Sequence, residues 1–274
     1  MSRHGFTNLR RLWIVCGLSI WWIAPSRIVG EPTTAAVSSF NSYVSAAETR
    51  LSQQHQSQDT FLPLMTLSVQ NAQRLRGGEL IIEQLTPTPG ADLSGALLHH
   101  WRGTAFVPGA KTAVFERLLR DFNSYSQHFS PQVVQARVLT RQDDHLQALM
   151  RVRQKHVITV VMDTTYDVTF GRPDAQHGYS TSRSTRISEI DAPGTDRERA
   201  LSSSEEHGFL WRLNTYWSYE ERDGGLYIQI ESISLSRSIP NGLGWALRPY
   251  VESVPRESLV FTLRSARSAI QEKV

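Results

Sequence analysis

The stretch from His207 to Ile270 constrains the fold more than any other. Phe209, Trp211, Leu213, Thr215, Trp217 and Tyr219 share one parity; Arg212, Asn214, Ser218 and Glu220 share the other. A period of two marks a half-buried strand. Asp223-Gly224 follows, a strong hairpin signal. Leu226 to Arg237, with Ile228, Ile230, Ile233 and Leu235, is the return strand. A two-residue loop there sets Trp217 opposite Ile230 and Thr215 opposite Ser232, with Tyr216 facing Glu231 on the other side. Ser238-Ile-Pro-Asn-Gly-Leu-Gly-Trp is a breaker-rich corner. Ser253 then suits an N-cap, Pro255 a first helical turn, and Glu257 the positive end of the dipole. Leu259, Leu263, Ala266 and Ile270 fall on one face of a helix of about 17 residues. Such a helix, arriving after antiparallel strands, must lay that face on the sheet.

The preceding chain supplies the strands. Phe40, Tyr43, Val44, Ala47 and Leu51 recur at helical spacing, so a helix is expected over about 35–54, followed by a polar linker, Gln53 to Gln58. Short and long strands are expected at Glu79–Leu85 and Ala96–Val107, then a helix at Lys111–Asp121 and a shorter one stopped at Pro131. Strands follow at Val133–Leu139, His145–His156 and Ile158–Phe170. Tyr179 to Ile190 is rich in Ser, Thr and Arg, and reads as an edge strand or a wall facing water.

Charge and cysteine narrow the function. The formal charge is +3, from 29 Lys+Arg and 26 Asp+Glu. Residues 1–30 contain four of those basic residues, Arg3, Arg10, Arg11 and Arg27, and no acid, so the rest carries a net −1. A near-neutral body is a poor electrostatic partner for nucleic acid. The basic start and the apolar run Leu12–Ala24 read as a secretory signal peptide, with cleavage after Gly30 or Ala24. The run is too short for a comfortable membrane span. Cys16 is the only cysteine, so a processed chain has no disulfide and no thiol nucleophile. Export without disulfides fits the periplasm or exterior of a bacterium. The expected division is a signal peptide at 1–30, an N-terminal helix and linker at 31–78, and a folded domain at 79–274.

Three stretches carry a family resemblance. They are Trp101-Arg-Gly-Thr-Ala-Phe-Val-Pro-Gly with Leu118-Leu-Arg-Asp-Phe-Asn-Ser-Tyr, Trp211-Arg-Leu-Asn-Thr-Tyr-Trp with Asp223-Gly-Gly, and Ser238-Ile-Pro through Val254-Pro-Arg-Glu-Ser-Leu. In their order the chain resembles the START-like (SRPBCC) helix-grip superfamily, which includes lipid-transfer domains, plant pathogenesis-related allergens and polyketide cyclase/dehydrases. The likeness covers about 80–270 and rests on element order. It implies an α+β fold: a curved antiparallel sheet of about six to eight strands around a long C-terminal helix, with two short helices after an early strand. The superfamily has no universal catalytic residue, so it implies no catalytic site.

The residues themselves favour binding over catalysis. His99 and His100 are adjacent on a strand and point to opposite faces, so they cannot share a metal. There is no His-Glu-x-x-His, no Gly-x-Ser-x-Gly elbow and no phosphate loop. Asp163 and Asp167 read as partners of arginines on a solvated face, and Glu231 reads as solvated too. Apolar positions on neighbouring strands, broken by small hydroxyl residues, suit a cavity with a few orienting groups. The expected lining is Met150, Met162, Tyr166, Trp211, Thr215, Trp217, Ile230 and Ser232, covered by Leu259 and Leu263. The expected function is an exported, non-catalytic carrier of a lipid-like or aromatic small molecule, with no metal and no cofactor, and with a membrane surface as a peripheral partner. Two alternatives stand beside it. One is a cyclase/dehydratase-like enzyme in which Tyr216, Glu231 or Arg183 steers proton transfer. The other is a solid-cored envelope protein acting through its surface.

Overall fold

A computed structural model describes residues 30–273 except 59, 64–68, 87–90, 94, 156–157 and 239–243; the side chains of 91–92 and 244–252 also fall outside the description. The expected signal peptide, Cys16 and most of the corner after Ser238 therefore lie outside the described residues.

Helix α1 (Thr34–His55) opens the chain, capped by Thr33, whose Oγ1 accepts the Ala36 N–H at 3.1 Å. Helix α2 (Val69–Arg76) follows. Strands β1 (Ile81–Gln84), β2 (Ala91–Asp92) and β3 (Ala96–Pro108) lead to α3 (Thr112–Arg120). A 3₁₀ turn (Phe122–Ser124) and α4 (Tyr125–His128) complete the early helices. Four strands come next: β4 (Val133–Gln142), β5 (His145–Lys155), β6 (Thr159–Gly171) and β7 (His177–Asp191). The short β8 (Arg199–Ala200) precedes the hairpin β9 (Arg212–Arg222) and β10 (Gly225–Arg237), and α5 (Gly244–Gln271) closes the chain.

The fold is α+β, with an antiparallel sheet in the order β1-β3-β10-β9-β7-β6-β5-β4; β2 pairs with β3 and β8 with β7. The hairpin register is the one the two-residue loop requires: Trp217 faces Ile230, Thr215 faces Ser232, and Tyr216 faces Glu231. Asp223 and Gly224 both adopt positive φ, 56° and 74°, as that turn demands.

Each face of the middle strands is covered by a helix. On one side Leu259, Leu263, Ala266 and Ile270 of α5 pack with Ala105, Ile228 and Ile230. Gly103 of β3 makes this approach possible, because a Cβ there would stand 2.6 Å from Leu259 Cδ2 and 3.1 Å from Leu263 Cδ2. On the other side Phe40, Val44, Ala47 and Leu51 of α1 pack on Leu98, Trp211, Tyr216, Ile233 and Leu235. Full burial of each such large side chain is worth about 1.5–3 kcal/mol. Ile228 and Ile230 thus serve one layer while Ile233 and Leu235, of opposite parity, serve the other. Coverage on both faces explains why β10 is apolar or small at nearly every position.

Helix α1, expected as a helix ahead of the folded domain, is a layer over the sheet. Three expectations need correction. Gln53–Gln58 is not a free polar linker. Gln54 is buried and donates to the Phe61 carbonyl at 2.5 Å, and His55 stacks on Tyr179 at 4.4 Å and bonds Ser218 Oγ at 2.8 Å. Strand β7 is not an edge but lies between β9 and β6. Finally, α5 begins at Gly244 rather than Ser253, and runs through Pro249 and Pro255. Proline removes one N–H donor, yet its fixed φ near −65° is helical, so packing can carry a helix through it.

Candidate functional site

The space between sheet and α5 is not filled. A cavity of about 460 Å³ lies there, within the usual size of small-molecule sites. Thr215 and Trp217 of β9 and Ile230 and Ser232 of β10 line its floor. Met150, Met162 and Tyr166 line the β5–β6 wall, and Leu259 of α5 lies over them. Trp211 and Leu263, also expected there, are elsewhere. Trp211 precedes β9 and turns to the α1 side, where its Nε1 donates to the Gly30 carbonyl at 2.8 Å. Leu263 is fully buried in solid packing against β3.

The early helices close one end with an aromatic stack. The Phe122 and Tyr125 rings lie 4.3 Å apart and nearly parallel, and Phe129 lies 4.8 Å from Tyr125. Tyr125 O–H donates to the Leu119 carbonyl at 3.0 Å. Phe115 meets Trp217 edge-on at 5.1 Å. Two lining residues, Ile158 and Phe209, are 55% and 42% exposed, and so mark where the cavity meets solvent. Gln154 Nε2, from β5, donates to Ser258 Oγ of α5 at 3.1 Å across the same rim.

Among the described residues, no Asp, Glu, Lys or Arg lines the cavity. Its titratable residues are His99, Tyr125 and Tyr166. Burial lowers His99 to about 4. Burial raises Tyr166 to about 12, and pushes Tyr125 up as well. None of the three changes charge near neutral pH, so the cavity offers no group poised for acid–base exchange there. Its floor carries hydroxyls, Ser180 and Ser182 of β7, Thr215 of β9, and Ser232, Ser234 and Ser236 of β10, while Gln132, Gln154, Ser258 and Thr262 add polar groups elsewhere in the lining.

The residues considered for proton transfer lie on the opposite face, under α1. Glu231 is 1% exposed, not solvated. It accepts from Arg102 Nε at 2.8 Å and from Arg50 Nη2 at 2.5 Å, and pairs with His100 Nε2 at 3.0 Å. Tyr43 O–H bonds His100 Nδ1 at 3.0 Å. Burial pushes the Glu231 carboxyl up, but the His100 hydrogen bond and the Arg102 and Arg50 charges outweigh it and hold it at about 2. Tyr216 O–H donates to Glu48 at 2.9 Å, and Arg183 Nε reaches the same carboxylate at 2.7 Å. Tyr216, Glu231 and Arg183 therefore bind α1 to the sheet, and none of them borders the cavity. Asp163 is held bidentately by Arg151 at 2.7 and 2.8 Å, and Asp167 pairs with His145. Among the described residues no group of three or more His, Cys, Asp or Glu is placed to hold a metal, and no helix is long and apolar enough to cross a membrane.

Period-2 reasoning separates His99 from His100, and the structure puts them on opposite faces: His99 at the cavity, His100 in the ionic cluster. Reading β7 as an edge hides Ser180 and Ser182. Their parity with Ser184, which accepts the Leu213 N–H at 2.9 Å, is the available signal.

No family model and no curated protein matches the chain. Similar solved structures include a protein from Thermus thermophilus (TM-score 0.46, 13% identity, 63% of this chain and 97% of the other) and the Zhui aromatase/cyclase from a Streptomyces species (0.46, 12%, 64% and 95%). Another is a STAR-related lipid transfer protein from Xanthomonas axonopodis (0.42, 18%, 69% and 98%). At these values the helix-grip assignment stands on the chain's own sheet order and closing helix.

Proposed function

We propose that this helix-grip protein is an exported, non-catalytic binding protein that holds a hydrophobic small molecule between its sheet and C-terminal helix. The observation that carries the reading is the 460 Å³ cavity, walled by aromatic and aliphatic side chains, dotted with hydroxyls, free of charged residues among those described and open beside Ile158 and Phe209. An apolar body gains from leaving water there, and nothing in the described lining provides a nucleophile paired with a base. Export is supported by the basic start and the apolar run Leu12–Ala24.

Native mass spectrometry of the purified protein, with titration of a fluorescent polyaromatic probe, tests the reading. The expected result is a co-purifying apolar mass, or stoichiometric probe uptake that Ser232→Phe abolishes by filling the floor. A protein that is clean and takes up no polyaromatic or fatty-acyl probe would overturn it.

A further inference from the structure

The hydroxyls of the cavity floor are arranged, not scattered. Ser182 of β7 stands directly opposite Thr215 of β9, and Thr215 directly opposite Ser232 of β10. Three neighbouring strands thus place three hydroxyls in one row, roughly 10 Å long at the usual strand spacing. One step along β10, Ser234 stands opposite His99 of β3. All five residues line the cavity. Ser236, another lining residue of β10, has a buried Oγ with no partner among the described residues. His99, 3% exposed, has an Nε2 with no partner there either.

We propose that this row, with Ser234 and His99 beside it, selects ligands bearing an uncharged oxygen function, a hydroxyl or carbonyl, on an apolar body, and discriminates against carboxylates, phosphates and ammonium groups. The inference rests on the binding reading above and specifies its ligand class. The chemistry is direct. Serine and threonine hydroxyls both donate and accept, so they pair with an alcohol or a carbonyl without needing charge. A neutral imidazole adds one more donor or acceptor. Burial keeps His99 neutral at pH 7, so it supplies no cation to an acid. A carboxylate or phosphate entering this site would lose its water and find no described Lys or Arg to replace it, and an ammonium would find no acid. The charged groups of the middle strands, Arg102, Glu231 and Arg183, lie across the sheet under α1 and are already paired.

Three probes of matched shape test it: 1-pyrenebutanol, 1-pyrenebutyrate and 1-butylpyrene, titrated by fluorescence at pH 7.4 into the full mature chain. The alcohol is expected to bind about tenfold or more tighter than the acid, since burying an unpaired carboxylate is costly. In a Ser182→Ala/Thr215→Val/Ser232→Ala variant, alcohol affinity is expected to fall about fivefold or more while butylpyrene affinity holds. Thr215→Ser, which keeps the hydroxyl, is expected to retain alcohol binding and so separates lost recognition from lost folding. Equal or tighter binding of the acid, or undiminished alcohol binding by the triple variant, would overturn the selectivity while leaving the cavity reading intact. Uptake of none of the three probes would remove both.

Discussion

Glu231→Gln offers the most quantitative test of how the sheet is held. The carboxylate is buried among Arg102, Arg50 and His100 and titrates at about 2 rather than the ordinary 4.5. That gap corresponds to about 3 kcal/mol of folding free energy. The folded-state value is depressed, so the contribution is complete above pH 4.5 and drains away as pH falls toward 2. Breaking a buried ion pair by removing one partner costs about 3–5 kcal/mol, which agrees. Glutamine mimics the protonated acid in shape and lack of charge. Urea unfolding of the two proteins should therefore show Glu231→Gln less stable by about 3 kcal/mol at pH 7, with the two stabilities converging toward pH 2. A difference below about 1 kcal/mol at pH 7, or one that stays constant down to pH 2.5, would refute the view that this cluster clamps α1 to the sheet.

Other outcomes follow from the same geometry. A chain starting at residue 79 lacks α1 and uncovers Leu98, Ile233 and Leu235, so it should bind a hydrophobic dye and aggregate; a monomer with unchanged melting temperature would contradict the layer assignment. His99 is held at about 4 by burial, so its folded state resists protonation and should lose stability as pH drops from about 6.5 to 4, and not further below. His99→Gln should flatten that part of the stability profile measured by denaturant melts, and an unaltered profile would argue against it. The Gly30 carbonyl accepts the buried Trp211 indole, and a Cβ on Gly30 would collide with Ser203. On the proposed export, the processed chain is accordingly expected to begin upstream of Gly30, nearer Ala24, and N-terminal sequencing of any secreted material would decide between the two cleavage points.

Much of the fold is legible in the sequence because it rests on local patterns. Alternation in β9, the Asp223-Gly224 turn and the 4, 3, 4 spacing in α5 each determine geometry over a few residues. Cavity floor residues such as Thr215 and Ser232 can be read from the same parity. What the sequence hides depends on partners distant along the chain. Glu231 reads as solvated when its strand face is judged without α1, yet Arg50 arrives from 181 residues away. Trp211 follows the parity of Trp217 but sits before the regular strand, where alternation no longer governs its direction. The polar run of β7 resembles an edge, since no local signal distinguishes hydroxyls that face solvent from hydroxyls that face a sheltered cavity.

The clamp behind the sheet bears on how cargo of different sizes could be accommodated. With its far face splinted by α1 and cross-tied by buried ions, the floor has little freedom to flatten. On the proposed binding role, widening falls to the roof, by tilt or sliding of α5, which Gln154 ties to β5 and Arg267 ties to the Gly78 carbonyl. Ligand exchange should then respond to changes at this rim more than to changes in the floor beneath it.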